Sequence, residues 1–171
     1  AVFNKLRGIK GSKVKLGIKR NNTNDILSYD ITRGDIPMVS IDASYMVDKE
    51  IGYIRIDKFA RTTYDEFLQA LVKLKNEGAE KYILDLRGNG GGFMEMAILM
   101  ANEFLPENSL IVYTKGRERK NDQQFWSDGN GSFQNVELAI LIDEFSASAS
   151  EILAGAIQDN DRGLIVGRRS F

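Results

Sequence analysis

From Ile51 onward the chain alternates short apolar runs with segments of helical period, and glycine or small hydroxyl residues mark several of the junctions. Ile51 to Phe59 reads as a strand. Tyr64, Phe67, Leu68, Leu71 and Leu74 then recur on one helical face, with Thr63 and Glu66 as a capping box and Gly78 as the stop. Tyr82 to Leu86 is a short strand, residues 93–105 form a helix ending before Pro106, and Leu110 to Thr114 is a strand. After a polar excursion from Lys115 to Asn135, which holds the only tryptophan, Trp126, come a strand Val136 to Ile142 and a helix Ser150 to Gln158. A final strand spans Leu164 to Val166. Strands separated by helices join by crossovers, so the expectation is an α/β fold around a mostly parallel sheet. Leu99, Met100, Phe104, Ile140 and Ile142 are core candidates.

The opening has a different rhythm. A helix end and a turn at Gly8 to Gly11 precede Lys13 to Arg20, where Val14, Leu16 and Ile18 alternate with lysines as in a half-buried strand. Asn21 to Asp25 is a turn cluster, Leu27 to Thr32 a second strand, and Arg33 to Pro37 a break before extended structure over Met38 to Tyr45. The expected division is 1–20 as a remnant too short to fold alone, 21–37 as a linker and 38–171 as the core. A chain of 171 residues buries one such core. Its first residues resemble neither a signal peptide nor an initiator end, so a piece of a longer protein is expected.

Composition removes whole classes of chemistry. There is no histidine and no cysteine, which excludes a Ser–His–Asp triad, a Cys–His pair and any His- or Cys-ligated metal within the chain. A net charge of −1 gives no electrostatic case for nucleic acid or an anionic membrane. No apolar run approaches the roughly 20 residues that span a bilayer. No cofactor is expected.

Two segments carry chemistry. Gly88-Asn89-Gly90-Gly91-Gly92 follows a strand and precedes a helix, where backbone N–H groups can converge on an anion. A phosphate loop, an oxyanion hole and a tight turn are all consistent with it, although neither Walker nor Gly-x-Gly-x-x-Gly spacing is present. The second segment is Ser146-Ala147-Ser148-Ala149-Ser150-Glu151, at a strand-to-helix turn. Its serines read either as caps, with Ser148-x-x-Glu151 a capping box and Ser150 an equal candidate, or as a nucleophile among small neighbours. Glu151 reads as a cap more readily than as a general acid. A nucleophilic serine here needs a lysine base or a group from elsewhere.

Together, Asp85-Leu86-Arg87-Gly88-Asn89-Gly90-Gly91-Gly92, Ser146 to Asp159, Ile51 to Ile56 and the ending Val166 to Phe171 resemble the carboxyl-terminal processing peptidases of the S41 serine peptidase class. The resemblance covers about Ser40 to Phe171. It implies a crotonase/ClpP-like layered core, polypeptide substrates and a Ser/Lys acyl-enzyme mechanism. Ser148 is then the nucleophile, and the N–H of Ala149 with one from Gly91 or Gly92 forms the oxyanion hole. Residues 1–20 resemble the end of a PDZ domain that such enzymes carry upstream. Family habit places these enzymes in the bacterial cell envelope or periplasm and leaves homo-oligomerisation open.

The family's base lysine lies in a Gly-Lys-Gly-x-x-Gln segment directly after the equivalent of Ser170-Phe171. This chain stops at Phe171, so the base is absent and the chain as given is expected to show no appreciable peptidase activity. Two alternatives stand beside the enzyme: a non-catalytic module of the same fold for small apolar ligands, and a nucleotide-binding α/β domain.

Overall fold

The computed structural model describes residues 2–21, 25–34, 39–118, 120 and 122–171. The chain forms two units, 1–38 and 39–171. In the first, helix α1 (Val2–Leu6) precedes β1 (Lys13–Lys19), which pairs antiparallel and in continuous register with β2 (Ile26–Thr32). Arg33 ties this unit together, its guanidinium donating to the Leu6 carbonyl at 2.7 Å and to the Ser12 hydroxyl at 2.9 Å. The stretch 21–37, expected as a linker, therefore carries a strand that belongs to the hairpin. The alternation of Val14, Leu16 and Ile18 needs such a partner to satisfy the backbone of β1.

The second unit is built on a five-stranded mixed sheet. Its strands are β3 (Ile41–Met46), β4 (Ile51–Ile56), β5 (Lys81–Asp85), β8 (Glu137–Ile142) and β9 (Leu164–Gly167), and they lie side by side in that order. β3 runs antiparallel to β4 and the other neighbours are parallel. Three helices supply the crossovers and cover: α2 (Thr63–Asn76), α3 (Met94–Asn102) and α4 (Ala149–Asp159). Ile54 and Ile56 of β4, Tyr82 and Leu84 of β5, and Leu138 and Ile140 of β8 alternate inward. They form one core with Phe67, Leu71 and Leu74 of α2, Met100 of α3 and Leu153 and Ile157 of α4. Met100, Phe104 and Ile140 are fully buried as expected, while Leu99 and Ile142 flank the core half-buried.

Two local readings change. The cap of α2 is Thr62, not Thr63. Thr63 is buried, where its hydroxyl accepts the Ala60 N–H and donates to Ser40, and Glu66 reaches across to the N–H groups of Ser40 and Ile41. The capping-box residues thus staple α2 to the start of β3. The polar excursion after β6 (Leu110–Thr114) also contains a strand, β7 (Gln123–Trp126), paired antiparallel to β6. Its Gln-Gln start hides a strand that main-chain pairing, not apolar periodicity, specifies. Among the described residues no helix is long and apolar enough to cross a membrane.

Candidate active site

β5 and β8 are adjacent and parallel, so the loops leaving their carboxyl ends emerge as neighbours, where ligands bind in sheets of this kind. The glycine-rich loop leaves β5 and the serine turn leaves β8. The Leu86 N–H donates to the Leu141 carbonyl at 2.9 Å, extending the ladder one step into both.

The serines have separate fates. Ser146 is buried, its hydroxyl donating to the Leu86 carbonyl at 2.7 Å. Ser150 is buried too, and its hydroxyl donates to the Asn89 carbonyl at 2.9 Å. Ser148, between two anchored neighbours, is exposed. It is the N-cap of α4, which settles the choice against Ser150, and its backbone sits at φ +57°, ψ −114°. For a residue with a β-carbon this costs about 1–3 kcal/mol and persists only where the surroundings impose it. Here the tethers of Ser146, Ser150 and the Ala147 N–H, which donates to the Asn89 carbonyl at 3.0 Å, impose it. The Glu151 carboxylate accepts the Ser148 N–H at 2.9 Å and the Ser170 hydroxyl at 2.9 Å, so Glu151 is a cap.

Ala149 opens α4. It is fully buried, and its N–H has no hydrogen-bond partner among the described residues. Buried main-chain donors are nearly always paired, so this one is an open donor at the positive end of a helix. The glycine loop supplies its neighbour. Gly91 has φ +96°, and a β-carbon there would stand 2.8 Å from Ser148 Cβ and 2.9 Å from the Ala149 nitrogen. The loop and the turn are in direct contact, which only a glycine permits. Gly91 donates its own N–H to the Asn89 side-chain oxygen at 2.8 Å, whereas the Gly92 N–H has no partner among the described residues. Of the two glycines that the sequence offers as donors, Gly92 is the one left open.

Asn89 is the residue that the sequence motif contains without explaining. Fully buried, it donates from Nδ2 to the Ile56 carbonyl at 2.8 Å and accepts from Gly91, while its carbonyl takes Ala147 and Ser150. One side chain and one carbonyl thus lock the glycine loop, the end of β4 and the serine turn together. An asparagine inside a glycine run is the available signal, but its partners are distant in sequence. Asn89→Ala is expected to cost about 3 kcal/mol, because it strands two buried groups at once, the Ile56 carbonyl and the Gly91 N–H. Urea denaturation checks this, and a loss under 1 kcal/mol would contradict it.

Asp143 makes the second bridge. Its carboxylate accepts the Gly88 N–H at 2.9 Å and the Phe145 N–H at 3.0 Å, and these bonds hold its pKa low. Gly88 is occupied by Asp143 and Gly91 by Asn89, so two of the loop's N–H groups are already paired within the protein, which does not favour the phosphate-loop and nucleotide readings.

Below the loop, the Asp85 carboxylate is buried between Tyr53, whose hydroxyl donates at 2.6 Å, and Arg87 at 2.6 Å. Burial raises its pKa, but the bonds from Arg87 and Tyr53 outweigh that and leave it below its ordinary value of 3.8. Burial and the bond to Asp85 push Tyr53 up to about 12. A depressed carboxylate stabilises the fold above its unfolded-state pKa and loses that contribution as pH falls through the folded value. Asp85→Asn is therefore expected to be less stable at neutral pH by about 2 kcal/mol and to lose less on acidification below about pH 4. Thermal unfolding across pH 2–7 tests this; parallel profiles for the two proteins would contradict it.

Ser148 opens onto a groove of about 540 Å³ between α4 and β6, and among the described residues no lysine lines it.

Comparison with known proteins agrees with this geometry. The profile of peptidase family S41 matches residues 50–171. The chain is 38% identical over 170 residues to a carboxyl-terminal-processing protease of Synechocystis sp., covering 98% of the chain and 39% of that protein. It is 36% identical over 167 residues to the carboxy-terminal processing protease CtpA of Bacillus subtilis, covering 97% and 35%. Among solved structures, the photosystem II D1 C-terminal processing protease superposes with a TM-score of 0.68 at 25% identity, over 96% of this chain and 45% of that one. The chain thus spans less than half the length of these relatives. With the strained serine, the glycine loop against it and the profile match through both segments, the chain belongs to peptidase family S41.

Proposed function

We propose that the protein containing this chain is a serine endopeptidase that cuts unfolded or tailed polypeptides through an acyl-enzyme. The observation that carries this reading is the exposed Ser148 at φ +57° on a helix N-terminus, beside the unpaired N–H of Ala149. Strain at one exposed hydroxyl, held by buried neighbours, is what a nucleophile needs and a plain cap does not. The Ser148 oxygen attacks the scissile carbonyl, and the developing oxyanion is met by the N–H groups of Ala149 and Gly92. The serine proton passes to an amine base, which returns it to the leaving amine; water then releases the acyl group.

That base is a lysine shortly beyond Phe171, in the family's Gly-Lys-Gly-x-x-Gln segment. What supports this is the path of the chain. Ser170 donates to Glu151 and the Phe171 N–H donates to the Ser146 carbonyl at 3.0 Å, so the chain at Phe171 lies beside the serine turn. A lysine acts as base only when neutral, which requires a desolvated setting that lowers its pKa. The core is of the crotonase type, and residues 1–20 are the tail of an upstream PDZ domain; relatives that align across 98% of the chain support reading both segments as inherited from such proteases. The apolar-ligand alternative is not favoured, since the match is to a peptidase family and to relatives named as proteases.

The test is hydrolysis of an unstructured peptide by the parent protein. Cleavage that depends on Ser148 is expected, with none by residues 1–171 alone. A parent protein that cuts nothing, or that cuts equally well without the Ser148 hydroxyl, overturns the reading.

A further inference from the structure

The groove at Ser148 follows α4 along its length. Ser148, Ile152, Gly155 and Asp159 line it at spacings of four, seven and eleven residues, one stripe of the helix. The facing wall is β6, where the consecutive residues Leu110 to Tyr113 all line the groove. Alternate residues of a strand point to opposite faces, so a consecutive set means that the edge of the strand borders the space. β7 pairs along one edge of β6; the other edge has no strand partner among the described residues, and at its Leu110 end the carbonyl accepts from Asn160 Nδ2 at 3.1 Å, leaving Ile111 to Tyr113 as the stretch a peptide can pair with.

Gly155 is the odd residue in this stripe. Glycine weakens a helix interior relative to alanine, and here a β-carbon would meet nothing within 4 Å. Neither crowding nor backbone strain calls for glycine; what it provides is an open floor. Asp159 is the second odd residue. It ends α4, where the helix dipole disfavours a carboxylate, and no basic residue stands in that last turn. Among the described residues it has no hydrogen-bond or ion-pair partner, and none of those that line the groove is Lys or Arg. Glu151, the other carboxylate there, is already engaged by Ser148 and Ser170.

We infer that this groove binds an extended polypeptide segment along the free edge of β6, with a basic side chain of that segment opposite Asp159. From Ser148 to Asp159 the helix rises about 16 Å, a distance that an extended peptide covers in about five residues. The inference rests on the reading of Ser148 as the point of attack, and makes Asp159 a specificity determinant about five residues from the bond cut.

The experiment uses the parent protein carrying Ser148→Gly, which binds without turnover. Fluorescence anisotropy would follow labelled ten-residue Ala/Val peptides with a single Lys, or a single Glu, scanned through each position. At one position the Lys peptide should bind about tenfold more tightly than its Glu counterpart at low salt, and Asp159→Lys should invert the order. Gly155→Leu, which fills the floor, should weaken both peptides about tenfold or more. Equal affinities at every position, or an order that Asp159→Lys leaves unchanged, overturn the inference. Cleavage by the Ser148-intact protein is a separate readout: selective binding without hydrolysis retires the peptidase and leaves the groove standing.

Discussion

Ser148→Gly in the parent protein is expected to abolish peptide hydrolysis, by about 10⁴-fold or more, while leaving the fold as stable as before or more so. Loss of a serine nucleophile removes the whole covalent route, and what survives is only the binding and the oxyanion donors. The stability half is the less obvious part. At φ +57°, ψ −114° a β-carbon is crowded by its own backbone, and glycine adopts that conformation freely. Relief of about 1–3 kcal/mol of strain is offset in part by the greater freedom of glycine in the unfolded chain, leaving a net gain of about 1 kcal/mol. The stability change reports the backbone strain at this position whatever the role of the serine, since glycine replaces an N-cap at a cost of only a few tenths of a kcal/mol. Hydrolysis rates measured beside the unfolding midpoints on the same pair of proteins report the role of the hydroxyl. A destabilised Ser148→Gly that keeps its activity would refute both halves.

The second large effect belongs to Gly91. A methyl group there would stand 2.6 Å from the Ala147 carbonyl oxygen and 2.8 Å from Ser148 Cβ, at a φ of +96° that L-residues resist. The loop and the serine turn must then separate, and the alignment of any oxyanion between them is lost. Gly91→Ala is expected to lower kcat by about 10²-fold or more and to cost about 3 kcal/mol of stability. Gly90 is the internal control. A β-carbon at Gly90 meets nothing within 4 Å and its φ is not positive, so Gly90→Ala should change stability by less than about 0.5 kcal/mol. Equal tolerance at the two positions would mean that the loop does not press on the turn.

Much of this architecture is legible in the residues. The alternation from Ile51 onward places β4, β5, β6, β8 and β9 and all three helices of the second unit within a few residues, because apolar period and glycine stops act locally. The glycine loop and the serine turn are legible for the same reason, each a short strand-to-helix junction. The parts that stay hidden depend on partners far along the chain. β7 is specified by pairing with β6, and Glu66 serves Ser40 and Ile41 across the sheet. The choice of Ser148 over Ser150 depends on Asn89, whose carbonyl claims the Ser150 hydroxyl from sixty-one residues away. The division of labour between Gly91 and Gly92 is likewise settled by one Asn89 side chain. Spacing finds the segments; only packing says which hydroxyl is left over and which N–H is spare.

A crystal structure of the parent protein soaked with a peptide boronate would reach the core of this account most directly. The expected result is a covalent bond from boron to Ser148 Oγ, with one boronate oxygen about 2.7–3.1 Å from the nitrogens of both Ala149 and Gly92. A boronate attached to another side chain, or attached to Ser148 with both oxygens turned away from those two amides, would contradict it.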